Sequence, residues 1–389
     1  MNRRLAIVVS HPTQYYSPWF RFIAETTSIE LRVFYLWNFG IGITTDPKFE
    51  RQIKWDIPLL DGYDSTFVEN RASDPGTHHF RGLDNPSLSN EVTDYAPQSI
   101  LVFGYAWKSM LSLIWRRPKR MPVLLRGDSH GLVASRPTIR QISRRLVTRA
   151  TLSRCQAMLA VGAANAAFYE SNGVDPKKIF HVPHCVDNSR FQASKNRTEE
   201  SANRLKIGTL REKVVFLFAG KFESKKRPDL LVQAFRHIQF SSAELWMIGS
   251  GPLESELRHI AGGDSRIQFF GFRNQAELPA IFSAGDAIVL PSEGPGETWG
   301  LVVNEAMNCD CAPIVSDHVG CHPDLVHANK NGWIFEAGSL SGLVSCLNDA
   351  VIDSQRLKRF KLNSRRLIEE YSYTKATQGL MQAIEAVTS

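Results

Sequence analysis

The sequence predicts an α/β fold of two doubly wound parallel sheets, and three observations carry that prediction. Short apolar runs rich in β-branched residues alternate with helix-length segments along most of the chain, which is the rhythm of βαβ units. The chain has 389 residues, more than one hydrophobic core usually organises, so two domains are expected. Between Asn188 and Lys213 the sequence turns to Ser, Lys, Asn, Arg, Thr and Glu with almost no apolar content, which places a linker between the halves.

Taken in order, the strand-like runs of the first half are 5–10, 31–36, 100–103, 123–126, 157–161 and 179–182. Those of the second half are 214–219, 245–248, 267–269, 287–290 and 312–315. The stretch 40–97 is turn-rich and irregular, and 357–367 and 374–387 have helical apolar spacing. The expected organisation is a Rossmann-like domain over 1–190, a linker over 191–212, a second Rossmann-like domain over 213–365, and a C-terminal segment 366–389 packing back toward the first domain. Two such sheets are expected to face each other across a cleft, where strand C-termini and helix N-termini attract anions.

Composition narrows the function classes. With 43% hydrophobic and 22% charged residues the chain is neither disordered nor collagen-like. No apolar run approaches the roughly 18 residues that span a bilayer. The apolar start 5–10 breaks at His11-Pro12, so it reads as a buried first strand of a cytoplasmic protein rather than a signal-peptide core. Six unevenly spaced cysteines make no disulfide framework. Cys309, Cys311 and Cys321 lack metal-type spacing and read as small buried hydrophobes, so no metal site is expected.

The net charge of +7 is uneven. Residues 1–190 hold 24 basic against 16 acidic side chains, and residues 191–389 hold 22 against 23. From Arg116 to Arg154 eleven basic side chains meet one acid, Asp128, so this stripe is either a solvated helix face or a docking surface for a polyanion such as an anionic membrane. No nucleic-acid-binding module accompanies it, and nucleic acid is not expected as a partner.

Three segments of the second half carry chemistry. After the run 214–219 comes Gly220-Lys221-Phe222-Glu223-Ser224-Lys225-Lys226-Arg227-Pro228-Asp229, where Pro228 suits a first helical turn beside four cations. Strand, glycine, lysine and helix start together form a candidate diphosphate cradle, without Walker A spacing. After 287–290, a glycine-rich loop containing Gly296, Glu297, Thr298, Trp299 and Gly300 opens a helix at Leu301 that is apolar except for Asn304 and Glu305. A carboxylate buried there needs hydrogen-bond donors, which a vicinal diol supplies and a neighbouring backbone also could. The third segment, Gly249-Ser250-Gly251-Pro252, begins like a dinucleotide fingerprint but has Glu254 where the third glycine belongs, which disfavours a nicotinamide enzyme.

The ordered set resembles the nucleotide-sugar domain of retaining glycosyltransferases of the GT-B fold, family 4. The resemblance runs through Gly220 to Asp229, Gly249 to Pro252, Phe269-Phe270-Gly271-Phe272, Leu290-Pro291-Ser292, the pair Glu297 and Glu305, Ser316 to Gly320 and Asn331-Gly332, with Val182-Pro183-His184-Cys185-Val186-Asp187 and Phe191 before them. It implies that Lys221 and Lys226 hold the donor pyrophosphate, Glu297 the donor sugar hydroxyls and Glu305 the ribose, with Gly220, Gly296, Thr298, Trp299, Gly300 and Leu301 completing the donor site. Lys221, Lys226 and Glu297 are the implied catalytic residues. The family's usual arginine after the strand glycine is Lys221 here, and its Asn-Gly before Val-Asp is His184-Cys185.

The resemblance further implies no metal and no cofactor, a UDP-sugar or GDP-sugar donor, and a glycan or lipid-linked glycan acceptor, as in cell-surface polysaccharide biosynthesis. Peripheral association at the inner face of a membrane follows if the 116–154 stripe docks there. On the acceptor side the candidates are His11, Gln14 and Tyr15 after the first strand, and Asp128, Ser129 and His130 after the run 123–126. A nucleotide-sugar epimerase or hydrolase on the same fold is the alternative, and would turn over without a second sugar.

Overall fold

The computed structural model describes residues 3–42, 44–46, 51–133, 139–193 and 213–388. From residue 194 on, the expected linker lies outside these residues. The chain divides into two compact units, one taking in residues up to 44, 57–184 and from 373, the other 45–56 and 185–372. The division therefore falls at His184/Cys185, six residues before the expected 190, and residues 366–372 belong to the second unit while the final helix Tyr373–Thr388 belongs to the first.

The described strands of the N-terminal part are β1 (Arg4–Val9), β2 (Glu30–Tyr35), β3 (Thr44–Asp46), β4 (Arg51–Ile53), β5 (Asp64–Phe67), β6 (Ser99–Phe103), β7 (Val123–Gly127), β8 (Ala157–Ala160) and β9 (Ile179–His181). Strands β3 and β4 pair only with each other, and the others form one sheet in the order β5-β2-β1-β6-β7-β8-β9. The described pairings of that sheet are parallel. Residues 5–9 of β1 and all of β6 are buried, as expected of strands covered on both faces. The helix Tyr373–Thr388 packs on this unit: Trp19 Nε1 donates to Thr377 Oγ1 at 3.1 Å, and the Phe22 and Tyr373 rings lie 5.9 Å apart.

The second unit contains β10 (Val214–Ala219), β11 (Ala243–Ile248), β12 (Ile267–Gly271), β13 (Ala287–Leu290), β14 (Ala312–Ser316) and β15 (Trp333–Phe335), in the order β12-β11-β10-β13-β14-β15. Its core gathers Phe216, Phe218, Phe222, Phe235 and Leu245 around the sheet. In each sheet the strand order reverses beside the first strand, at β1/β6 and at β10/β13. Ligands of open parallel sheets bind beyond the strand C-termini at such a switch point. The sequence pattern does not reveal β3, β4, β5 and β15; of these β5 and β15 are short edges of the two larger sheets. β5 reads Asp-Ser-Thr-Phe and is half-exposed, so no apolar run marks it.

The Gly249–Pro252 run has a packing role. Gly249 sits at φ +140°, and a Cβ there would stand 1.9 Å from the Gly220 carbonyl oxygen. The Phe222 amide donates to the Ser250 carbonyl at 3.0 Å and the Leu253 amide to the Phe222 carbonyl at 3.1 Å. The loop after β11 thus props the loop after β10, which explains the glycines without a dinucleotide. Gly249→Ala is expected to cost about 2 kcal/mol or more of stability, read as a shifted urea midpoint; an unchanged midpoint contradicts the propping role.

Candidate functional site

The site of the second unit is assembled where the loops after β10 and β13 meet, beside the switch point. Backbone and side-chain bonds stitch the two loops: the Glu293 amide donates to the Lys225 carbonyl at 2.8 Å, and Lys225 Nζ donates to the Gly296 carbonyl at 3.1 Å. Arg227 takes the left-handed conformation just before the helix Pro228–His237, and its guanidinium bridges Asp229 and Glu293. Lys226 precedes Arg227 in the same loop. Its side chain runs over Gly220, where a Cβ would come within 3.5 Å of Lys226 Cδ.

Lys226 Nζ lies 2.5 Å from Glu297 Oε2, with the two side chains 14% and 11% exposed. Ser292 Oγ donates to the same oxygen at 3.1 Å. Burial alone would raise the Glu297 carboxyl; the Lys226 charge, with Lys225 and the Ser292 hydroxyl, outweighs it and holds the group below the usual carboxylate range. The segment after β14 braces this loop from behind, the Gly320 amide donating to the Glu297 carbonyl at 3.0 Å and the Gly294 amide to His318 Nδ1 at 3.0 Å.

Glu305 lies on the helix Leu301–Asn308, whose first turn opens at Gly300. Gly300 is at φ +98°, and a Cβ there would meet Leu290 Cδ2 at 2.8 Å, so a glycine lets the helix start against β13. Trp299 is buried and its Nε1 donates to Asn304 Oδ1 at 2.8 Å, closing the first turn. Thr298 and Leu301 are half-buried on either side. Glu305 is 2% exposed, and its Oε1 is buried without a hydrogen-bond partner. Burial pushes its carboxyl up to about 7, against the attraction of Arg190 and Lys226. A buried carboxylate oxygen with no donor is rare in a folded protein and marks a place where a ligand's hydroxyl would be welcome.

The structure therefore brings Gly220, Lys226, Gly296, Glu297 and Glu305 of the predicted donor residues together in one polar cluster. Lys221 sits half-buried one residue beyond Gly220, its carbonyl accepting from the Glu223 amide at 2.9 Å. Arg190 was not anticipated. It stands on the short helix Asn188–Gln192, where Gln275 holds its guanidinium through a carbonyl at 2.7 Å and Oε1 at 2.8 Å, and its charge reaches Glu305. The Val186-Asp187 pair that precedes it was the available signal.

In the first unit a cleft of about 960 Å³ opens beyond the ends of β1, β6 and β7. Asp128 and Ser129 line it, with Tyr16, Arg126 and His184. His11, Gln14, Tyr15 and His130 are not among its lining residues. His11 bonds through Nδ1 to Ser10 Oγ at 3.0 Å and meets the rings of Trp37 and Phe39 edge-on, and burial lowers its imidazole to about 4, so it is neutral at pH 7. His130 Nδ1 accepts from the Leu132 amide at 3.3 Å, a local turn contact. The cysteines are free and buried, with Cys309 and Cys311 bonded to backbone carbonyls rather than to one another.

Residues 199–367 match the family described as Glycosyl transferases group 1. The chain is 23% identical over 364 residues to D-inositol 3-phosphate glycosyltransferase of Rhodococcus erythropolis, covering 84% of this chain and 79% of that protein. It is 28% identical over 235 residues to sulfoquinovosyl transferase SQD2 of Arabidopsis thaliana, which is 60% of this chain and 42% of that longer protein. Its fold matches that of Anabaena HepE, solved in complex with UDP, with a TM-score of 0.73 at 15% identity over 99% of this chain and 100% of that one.

The isolated Glu305 carboxyl has a thermodynamic signature. Its folded value near 7 exceeds the ordinary 4.5, so between those limits the folded protein keeps a proton that the unfolded chain releases, and stability falls as pH rises. The full penalty, roughly 3 kcal/mol, is reached above pH 7. Glu305→Gln is therefore expected to be more stable than the ligand-free parent at pH 8 and little different at pH 4.5, by urea unfolding at both. A difference independent of pH would contradict the burial of this carboxyl.

Proposed function

We propose that this chain, which belongs to the group 1 glycosyl transferases and has the GT-B fold, moves a sugar from a UDP- or GDP-sugar to a hydroxyl of a glycan or lipid-linked glycan with retention of anomeric configuration. The observation that carries the reading is the orphaned Glu305 oxygen beside the Lys226–Glu297 pair. A ribose diol gives that oxygen its donors, and a pyrophosphate next to it meets Lys226, Lys221 and the amides at the start of the helix Leu301–Asn308. Glu297, already ionised and aligned by Lys226 and Ser292, is placed to accept from the donor sugar's hydroxyls.

In the reaction the bond between the anomeric carbon and the diphosphate breaks, and a bond to the acceptor oxygen forms on the same face. The acceptor's proton passes to the departing phosphate oxygen, so no side-chain base is required. Lys226 and Lys221 stabilise charge that develops on the diphosphate, in a crevice where little solvent screens it. On this account the diphosphate needs no divalent cation. The cleft lined by Asp128 and Ser129 supplies acceptor subsites.

Docking at an anionic membrane forms part of the proposal. The helix Ile139–Leu152 leaves Ile142, Leu146 and Val147 52%, 62% and 52% exposed, and Arg144, Arg145 and Arg149 accompany them. An apolar ridge among arginines suits the boundary between head groups and acyl chains. No described helix is long and apolar enough to cross a membrane.

Lys226→Ala and Glu305→Ala are each expected to lower turnover by about 10²-fold or more, since one preorganised charge partner is typically worth about 3 kcal/mol in the transition state. UDP or GDP should raise the melting temperature of the parent and not of Glu305→Ala. Folded variants with normal turnover would overturn the assignment. For docking, Leu146→Glu should reduce co-sedimentation with vesicles containing anionic phospholipid, and binding should weaken with salt; salt-insensitive or absent binding by the parent contradicts it.

A further inference from the structure

Far along the chain from the donor crevice, the irregular segment between β5 and β6 brings together three side chains with metal-ligand chemistry. His78 Nε2 lies 2.9 Å and His79 Nε2 3.3 Å from the same Asp74 oxygen, Oδ2. The two imidazole rings stand at 75° with centroids 4.6 Å apart, both Nε2 atoms face Asp74, and His79 Nε2 also lies 3.0 Å from the Asp74 carbonyl oxygen. Among the described residues this is the group of His, Cys, Asp and Glu whose ligand atoms lie within 4.8 Å of one another.

The segment that carries them is braced. Asn70 Oδ1 accepts from the amides of Ala72 and Asp84 at 3.0 Å each, and its Nδ2 donates to the Gly82 carbonyl at 2.9 Å. The Gly76 amide donates to the Gly82 carbonyl at 3.0 Å, and Trp107 Nε1 donates to the Thr77 carbonyl at 3.2 Å. The residues on either side of the cluster are thus tied to one another and to the neighbouring element, so the backbone that carries the three side chains is held in place.

We propose that Asp74, His78 and His79 form a binding site for a divalent cation of the zinc class. Two imidazoles and a carboxylate are the borderline ligand set such a cation takes, and Zn–N and Zn–O bonds near 2.0–2.1 Å at tetrahedral angles put ligand atoms about 3.3 Å apart. The His78–Asp74 and His79–Asp74 separations of 2.9 and 3.3 Å are close to that spacing, and a cation would replace the hydrogen bonds that now link these groups, that of His79 Nε2 to the Asp74 carbonyl at 3.0 Å included. Three protein ligands leave at least one coordination position for an oxygen from outside the chain. His78 and His79 also line the 960 Å³ cleft together with Asp128 and Ser129, so that position borders the space assigned above to the acceptor. A cation held by one carboxylate keeps a net positive charge, and the class of molecule it would recognise there is one presenting a phosphate, carboxylate or vicinal hydroxyls. The site is separate from the donor diphosphate, and its existence does not depend on the transfer reaction.

The test uses the full chain, stripped with chelator and kept reduced, dialysed to equilibrium against zinc chloride, with cobalt chloride as a spectroscopic probe. The expected result is one saturable zinc site per chain, weakened about tenfold or more by His78→Ala or His79→Ala and abolished in Asp74→Ala/His78→Ala/His79→Ala, with visible cobalt bands that disappear in the same variants. These positions are on the surface or half-exposed, so the metal-free variants should unfold at the parent's temperature, which separates ligand loss from misfolding. The absence of saturable zinc binding, or equal affinity and stoichiometry in the parent and the triple variant, would overturn the proposal.

Discussion

An ammonium and a carboxylate 2.5 Å apart, both mostly withdrawn from water, form the buried centre of the contact between two loops of the second unit. Lys226 belongs to the loop after β10 and Glu297 to the loop after β13, strands adjacent at the point where the sheet changes direction. Removing either partner leaves the other as an uncompensated charge in a half-closed crevice, which is strongly unfavourable. Other contacts between the same loops reinforce this pairing. Glu293 answers Arg227, Lys225 reaches Gly296, and the two loops become one wall.

That wall is charged before any ligand arrives, and it borders a carboxylate whose buried Oε1 has no donor. The fold tolerates Glu305 because the cost is moderated by Arg190 and Lys226 and because protonation near neutral pH offers partial relief. Such a group is poorly explained as a stabilising element. It is well explained as half of a binding contact, with stability given up in the empty protein and recovered when hydroxyl donors enter. The asymmetry between the two glutamates, one held ionised and one pushed toward neutrality, comes from their surroundings rather than from the residue type.

Much of this was legible in the sequence, for identifiable reasons. The buried strands announce themselves because a parallel sheet covered on both faces demands unbroken runs such as Val214–Ala219, and Glu305 is conspicuous because its neighbours on the helix are apolar. Short strands escape: β15 is three residues long, and β5, Asp64–Phe67, is polar and half-exposed and reads as a turn. The roles of Gly249 and Arg190 depend on which loops and helices come to lie side by side, which spacing alone does not encode. For His11 and His130, named from the sequence as acceptor-side candidates, the structure adds contacts that spacing does not encode, of His11 with Trp37 and Phe39 and of His130 with Leu132. The convergence of Asp74 with His78 and His79 has no recognisable spacing motif and emerges only from the folded loop.

The central claim is that the crevice at Lys226, Glu297 and Glu305 is a sugar-nucleotide site. Crystals grown with UDP or GDP and their sugars test it most directly. The account predicts a ribose hydroxyl within hydrogen-bond distance of Glu305 Oε1 and a diphosphate oxygen within reach of Lys226 Nζ. A nucleotide bound elsewhere, or a crevice that stays empty with Glu305 Oε1 still unpartnered at saturating nucleotide, would contradict it.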